Sequence, residues 1–143
     1  MNLLVLDASV ALHWVVPSPE NELRQGSLRL FRRFVERELD FVVPDLFWAE
    51  VASVLCKGVR QQRWQREIAE RAVKDLTEYG FQTVSSSMLI SEALPIALNY
   101  GISLYDCLYV SLAMEAKTDL VTADERLANA LAARFPVKWL GAF

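Results

Sequence analysis

Short, mostly apolar runs alternate with helix-like segments along the whole of this 143-residue chain, and this alternation constrains its fold most strongly. Nearly unbroken apolar runs of a few residues are typical of parallel strands that are buried on both faces. The predicted strands are 3–6, 41–43, 82–84, 119–122 and 137–140. Strands that alternate with helices favour a parallel sheet, so the sequence predicts an α/β fold, a three-layer α/β/α sandwich with a short, mainly parallel sheet.

The segments between these strands carry apolar residues at helical spacing. The predicted helices are about 10–14, 20–39, 45–60, 64–79, 87–100, 104–116 and 124–134. Gly26 could interrupt the second helix, and Asp45 is a plausible N-cap of the third. The core stripe of that third helix is expected to include Val54, and Gly101 suits a helix stop.

Length and composition are those of one folded domain, so residues 1–143 are predicted to form a single domain. Hydrophobic residues make up 53% of the chain, yet no apolar run approaches the ~20 residues of a membrane span, and no membrane association is expected. The N-terminus lacks a basic region and reads as a core strand. Cys56 and Cys107 lie in apolar helical runs and are predicted to be buried thiols in a reducing cytoplasm.

Arginine and lysine residues are concentrated in two segments, 24–37 and 57–71, although the net charge is −3. The simpler interpretation is that they form two solvated helix faces. The alternative is that two basic edges flank an acidic pocket and hold a polyanion. Trp64 lies between Arg63 and Arg66, and it is the tryptophan that could serve a partner surface or base stacking.

Four acidic residues lie where strand-like runs meet helices: Asp7, Glu50, Asp106 and Asp124. The carboxyl ends of parallel strands meet at one edge of a sheet, where ligands bind. Carboxylates gathered there repel one another unless a cation lies between them or some of them hold protons. The sequence therefore predicts a divalent-metal site at this edge.

Each acid also has a purely structural explanation. Asp7 could cap a helix, with Ser9 sharing that role, and Asp106 fits a capping box that begins at Ser103. Thr122 could cap the last helix or hydrogen-bond a metal-bound water. The combination favours a metal site, because oxygen-only ligands suit Mg²⁺ or Mn²⁺. The matching chemistry is hydrolysis of a phosphodiester, and the lone His13 excludes a histidine-rich site.

At these residues the chain resembles the PIN-domain family, and specifically its VapC-type toxin ribonucleases from toxin–antitoxin pairs. The matching segments occur in the order of the family and cover nearly the whole chain. They are Leu-Asp-Ala-Ser-Val at 6–10, His-Trp-Val-Val-Pro at 13–17, Val-Pro-Asp-Leu-Phe-Trp-Ala-Glu-Val-Ala at 43–52, Tyr-Asp-Cys-Leu-Tyr-Val-Ser-Leu-Ala at 105–113 and Leu-Val-Thr-Ala-Asp-Glu-Arg-Leu at 120–127.

The resemblance implies a PIN-like nuclease domain that cleaves RNA endonucleolytically with Mg²⁺, for which Mn²⁺ can substitute. A metal-activated water would attack the phosphorus and leave a 5′-phosphate. By motif position, the resemblance implies a role in metal binding and catalysis for Asp7, Glu50, Asp106 and Asp124, with Ser9 and Thr122 as polar helpers. It also implies a homodimer in the cytoplasm that is inhibited by a cognate antitoxin protein.

Two other classes of protein fit parts of the pattern. The first is a catalytically silent PIN domain, or a receiver-like regulatory domain with an acidic pocket. A receiver needs a lysine at a strand end, and none is evident. The second is a phosphatase of the haloacid-dehalogenase class, which requires a second aspartate two residues after Asp7, where this chain has Ser9.

Overall fold

The computed structural model describes residues 2–143, which form a five-stranded sheet flanked by helices. The strands are β1 (Asn2–Leu6), β2 (Leu39–Pro44), β3 (Gln82–Val84), β4 (Leu120–Thr122) and β5 (Val137–Trp139). Their order is β3-β2-β1-β4-β5, and every neighbouring pair is parallel. The predicted α/β fold with a parallel sheet is therefore confirmed.

Seven α-helices connect the strands. They are α1 (Ala8–Val15), α2 (Glu22–Val35), α3 (Leu46–Arg60), α4 (Arg66–Glu78), α5 (Ile90–Tyr100), α6 (Leu104–Glu115) and α7 (Glu125–Leu131). Right-handed crossovers, the rule for such connections, put α1 to α4 on one face of this sheet and α5 to α7 on the other. Accordingly, α1 packs against α2, α3 and α4, whereas α6 packs against α5 and against β1, β2 and β4.

The strand order reverses at β1, and this reversal positions the site. The chain moves from β1 to β2 to β3 in one direction and then returns to place β4 on the other side of β1. Such a switch point opens a crevice at the carboxyl ends of the two strands beside it, because their connections leave in opposite directions. Asp7 follows β1 and Asp124 follows β4, so both lie at this crevice.

The core is continuous through both layers. Val5, Leu6 and Val121 in the central strands are fully buried, as are Phe41 and Phe47 on the β2 side. No helix among residues 2–143 is both long enough and apolar enough to cross a membrane.

Two predicted details of the helices are wrong. Helix α2 runs through Gly26 without interruption. The missing side chain lets the helix pack closely against residue 140, since a Cβ on Gly26 would lie 2.9 Å from the Leu140 carbonyl oxygen. Asp45 occupies the N-cap position of α3, but its side chain does not cap the helix. Its Oδ1 instead accepts a hydrogen bond from the Ser86 amide, 3.1 Å away.

The outer face of α3 also differs from the prediction. Val54 is 37% exposed and so lies outside the core stripe, and Cys56 is exposed rather than buried. Cys107, in contrast, is buried as predicted. A buried environment raises the pKa of the Cys107 thiol to about 11.

The loop between α3 and α4 is fixed by Trp64. A Cβ on Gly58 would lie 2.1 Å from the Trp64 ring, so the ring occupies the space that this glycine leaves open. The Trp64 Nε1 donates a hydrogen bond to the Leu55 carbonyl, and the Arg63 guanidinium lies over the ring. The ring is therefore a packing group in this structure, which does not support the base-stacking hypothesis.

Candidate functional site at the carboxyl edge of the sheet

The Asp7 carboxylate is the centre of a hydrogen-bond network that joins the ends of β1 and β4. Its Oδ2 accepts from the Ser9 hydroxyl at 2.9 Å and from the Thr122 hydroxyl at 2.6 Å. The Ser9 hydroxyl in turn accepts from the Ala123 amide. Two hydroxyl donors on one oxygen fix the orientation of the carboxylate. The side chain of Asp7 makes no capping hydrogen bond to α1, although Asp7 is its N-cap residue.

Thr122 and Asp124 complete the β4 side of this network. Thr122 is fully buried, and its hydroxyl accepts from the Asp124 amide at 3.0 Å while donating to Asp7. Asp124, rather than Thr122, caps α7, because its Oδ1 accepts from the Leu127 amide at 3.2 Å. Thr122 therefore connects two of the predicted acids, and its alternative role as a helix cap is wrong.

Glu50 reaches the same edge from α3 and is held there by a tyrosine. The hydroxyl of Tyr109, on α6, donates to the Glu50 Oε1 at 2.6 Å. Because α3 and α6 belong to opposite helical layers, this hydrogen bond crosses the end of the sheet. Tyr109 is 1% exposed and Glu50 is partly buried, so the bond is largely shielded from water.

Asp106 lies in the first turn of α6, three residues before Tyr109. Ser103 caps this helix as predicted, accepting from the Tyr105 amide at 3.2 Å. Spacing of one helical turn puts Asp106 and Tyr109 on neighbouring positions of one helix face. The same face of α6 therefore contributes one carboxylate and the donor that holds a second.

The charges of these acids affect one another. Burial raises the pKa of Asp106 to about 6, and the negative charges of Asp7 and Asp124 act in the same direction. Burial also raises the pKa of Glu50, with the Tyr109 hydrogen bond opposing it and the charges of Asp7 and Asp106 adding to it. The charges of Asp7 and Asp124 thus reach Asp106, and those of Asp7 and Asp106 reach Glu50, so the predicted acids lie near one another.

Burial dominates at Asp7 as well. It raises the pKa of Asp7 above its ordinary value, against the opposing hydrogen bonds from Thr122 and Ser9. Groups whose raised pKa results from burial and like charges are typical of functional sites. A cation placed among them would remove the repulsion and favour the ionised carboxylates.

The donor chemistry of the site fits Mg²⁺ or Mn²⁺, because the acids supply only carboxylate oxygens. Among residues 2–143, however, no three acidic, cysteine or histidine side chains are grouped closely enough to hold one ion together. Asp7 and Asp124 are turned toward protein donors, and Glu50 is turned toward Tyr109. Mg²⁺ commonly takes one or two carboxylates and keeps several waters, so a close cage of three acids is not required.

The sequence interpretation did not identify Tyr109 as a site residue. Its signal was present, since a tyrosine in an almost wholly apolar helix needs a hydrogen-bond partner for its hydroxyl.

His13 lies at the end of α1, hydrogen-bonded to Ser18, and burial together with the Arg24 charge lowers its pKa.

Comparisons with known proteins agree with this geometry. The PIN domain family model matches residues 4–131. A relative, ribonuclease VapC3 from Pyrobaculum aerophilum, is 29% identical over 128 residues, which cover 88% of this chain and 92% of that protein. The fold and the site define an α/β domain with an acidic crevice at the switch point of its sheet. The chain belongs to the PIN domain family.

Solved structures share the fold. PAE2754 from Pyrobaculum aerophilum has a TM-score of 0.71 and 20% identity, with 99% of this chain and 85% of that chain covered. A toxin–antitoxin complex from Klebsiella pneumoniae has a TM-score of 0.63 and 17% identity, with 94% of each chain covered. VapBC2 from Rickettsia felis, bound to a promoter DNA fragment, has a TM-score of 0.64 and 11% identity, with 96% of this chain and 98% of that chain covered. PIN-domain ribonucleases generally depend on a divalent metal ion.

Proposed function

We propose that this protein is a metal-dependent endoribonuclease that hydrolyses RNA phosphodiester bonds at the acidic crevice. The observation that carries the proposal is the proximity of the acids at the switch point: the charge of Asp7 raises the pKa of both Glu50 and Asp106, and the charge of Asp124 raises that of Asp106. The similarity to ribonuclease VapC3 over most of both chains supports the choice of RNA as substrate.

Asp7, Glu50, Asp106 and Asp124 would hold the metal ion, one or two of them directly and the others through its water molecules, with Mg²⁺ as the expected ion and Mn²⁺ as a substitute. When bound, such an ion supplies charge neutralisation on a phosphoryl oxygen and activation of water for attack. Hydrolysis in this way would leave a 5′-phosphate on one product.

The protein's own groups orient these ligands. Ser9 and Thr122 hold one carboxylate oxygen of Asp7, and Tyr109 holds one oxygen of Glu50. Partners of this kind restrict the ligands before the metal arrives, which lowers the entropy lost on binding. The burial that raises the pKa of Asp7 and Asp106 also strengthens their attraction to a cation.

The biological role proposed for this activity is that of the toxin in a toxin–antitoxin pair, acting in the cytoplasm and inhibited by a cognate antitoxin protein. Support comes from the fold similarity to the Klebsiella pneumoniae toxin–antitoxin complex and to VapBC2 of Rickettsia felis. Co-expression with the neighbouring small reading frame tests it: the second protein should relieve growth inhibition and co-purify with this chain.

The homodimer implied by the resemblance stays a prediction. Helix α5 supports it, since Ile90, Leu94 and Leu98 are 47%, 49% and 75% exposed and follow one another at intervals of four residues. An exposed apolar stripe of this kind is typical of a protein contact. Sedimentation velocity distinguishes a monomer from a dimer, and Leu94→Glu should shift a dimer toward the monomer.

A catalytically silent PIN domain that only binds a partner is the second candidate. It is favoured by one observation, the absence of a close group of three acids among residues 2–143. The receiver and phosphatase alternatives have no such support, because the chain belongs to the PIN domain family.

Cleavage of RNA by the purified protein separates the two candidates. RNA incubated with Mg²⁺ should be cut at internal positions, and its new ends should carry 5′-phosphates that permit direct adapter ligation. The same reaction with EDTA should leave RNA intact. Equal cleavage by a variant in which all four acids are changed to amides would assign the activity to a contaminant and contradict the proposal.

A further inference from the structure

A second cavity opens beside the acidic crevice, between the start of α6 and helix α7. Its volume is about 330 Å³, within the range of small-ligand pockets. Asp106 and Asp124 form one part of its lining and thereby connect it to the crevice. The cavity is thus an extension of the site, and Asp7 and Glu50 are not part of its lining.

The remaining lining combines one cation with an apolar wall. Arg126 is the cation, Ser103 adds a hydroxyl, and Ile102 and Leu127 are among the apolar residues. A guanidinium next to an apolar surface is the chemistry that binds a nucleotide, since the guanidinium pairs with phosphate and the wall contacts the ribose and base.

Arg126 is available for such a contact. Its side chain is exposed, and among residues 2–143 it takes part in none of the ion pairs formed within 4 Å. It is nevertheless near the acids, because its positive charge lowers the pKa of Asp106 against the larger effect of burial. Because Arg126 lies near the carboxylates but forms no ion pair with them, its guanidinium can bind an anionic group of a ligand.

An RNA strand needs such a contact to approach this protein. The chain has a net charge of −3, and the crevice itself concentrates carboxylates that repel phosphates. Arginine binds phosphate through two parallel hydrogen bonds and so fixes its position as well as its charge. A phosphate held beside Asp106 and Asp124 would place the neighbouring phosphodiester in the acidic crevice.

We infer that this cavity is a nucleotide subsite for the RNA strand, in which Arg126 binds the phosphate adjacent to the one that is cleaved. The inference rests on the proposed function, because it names how that site holds its substrate. Arg126 is a substrate-binding residue in this account, and the four acids remain the metal-binding groups.

The test compares Arg126→Gln with Lys117→Gln, which removes one positive charge from an exposed position beyond the end of α6 that lies away from the cavity. Arg126→Gln should raise KM for a short single-stranded RNA about tenfold and change kcat by less than about threefold. Arg126→Lys should recover only part of the loss, because lysine cannot make the paired contact. Lys117→Gln should behave as the unaltered protein does.

A binding measurement makes the test independent of cleavage. Fluorescence anisotropy of a labelled RNA, in an Asp7→Asn background, gives affinity as a function of salt. Removing one phosphate contact should lower the slope of log K against log salt by about 0.7. Weaker RNA binding with this smaller slope would support the subsite, and if the protein with Asp7 intact cleaved no RNA, only the nuclease would be contradicted. An affinity and slope equal to those of Lys117→Gln, or no RNA binding at all, would overturn the subsite.

Discussion

At the residue scale, the site is a set of carboxylates that the fold brings together against their own repulsion. Burial raises the pKa of Asp7, Glu50 and Asp106, and neighbouring negative charges add to the effect at Glu50 and Asp106. Carboxylates that are buried and close to one another are typical of functional sites, because a bound cation would attract each of them and offset their repulsion. The stability of the protein should therefore depend on both pH and metal.

Asp106→Asn should stabilise the protein in EDTA at pH 7.5 by about 1 kcal/mol, a figure reduced for the partial exposure of the carboxyl group. The pKa of Asp106 in the folded state, about 6, is above its ordinary value of 3.8, so the protonated form favours folding. That contribution is fully present below pH 3.8 and is lost as pH rises through about 6. Urea unfolding at pH 4.5 and 7.5 measures it. A variant that is less stable than the unaltered protein by the same amount at both values would contradict this account.

Tyr109→Phe should weaken Mn²⁺ binding and RNA cleavage by about 10- to 100-fold each, because Glu50 loses the donor that orients it. Calorimetric titration with Mn²⁺ provides a measurement that does not depend on activity. Tyr105→Phe is the matched control, since Tyr105 lies one turn earlier on α6 and is 60% exposed. Equal Mn²⁺ affinity in the two variants would show that Tyr109 only packs.

The sequence singles out the four acids from predicted strand–helix junctions, and their roles stay a prediction. For Asp106 the predicted junction is wrong, because α6 follows helix α5 and not a strand. The sequence could not show how the acids are held. The Thr122–Asp7 hydrogen bond joins residues 115 positions apart, and the Tyr109–Glu50 bond joins residues 59 apart. Contacts at such separations depend on sheet order and helix placement, neither of which has a local signature.

At the element scale, α3 connects the site to the loop before α4. It carries Glu50 near its start, and its last turns are packed against the Trp64 ring. Helix ends and faces were the least predictable features. Val54 has apolar character but faces solvent, because α3 is covered on only one side.

Gly58→Ala should lower the free energy of unfolding by about 1–3 kcal/mol, because the new methyl group would overlap the Trp64 ring. Alanine favours helices by about 1 kcal/mol relative to glycine, so helix propensity alone predicts the opposite sign. Gly101→Ala is a useful comparison: its φ of 65° is left-handed, but its Cβ would contact nothing. That variant should lose about 1–2 kcal/mol through the backbone alone. Urea midpoints decide, and a stabilised Gly58→Ala variant would contradict the packing role of Trp64.

At the scale of the whole molecule, the strand order determines where chemistry can occur. The reversal at β1 creates one crevice, and the elements that follow β1, β2 and β4 bring acids to it. The alternation of strands and helices was sufficient to predict the parallel sheet, whereas the acidic site at its carboxyl edge stays a prediction. It did not predict the order of the strands, because any right-handed arrangement of βαβ units satisfies the same local pattern.

The central claim is that the acids at the carboxyl edge of this sheet, and not acids elsewhere, carry metal-dependent cleavage of RNA. Asp119 offers a matched control, because it lies at the opposite end of β4, where it pairs with Lys138 at 3.1 Å. The measurement is the initial rate of cleavage of an end-labelled RNA in Mg²⁺ by Asp7→Asn and Asp119→Asn, with folding verified by circular dichroism. The account predicts that Asp7→Asn lowers the rate by about 100-fold or more while Asp119→Asn changes it little. Undiminished cleavage by Asp7→Asn, or an equal loss in both variants, would contradict it.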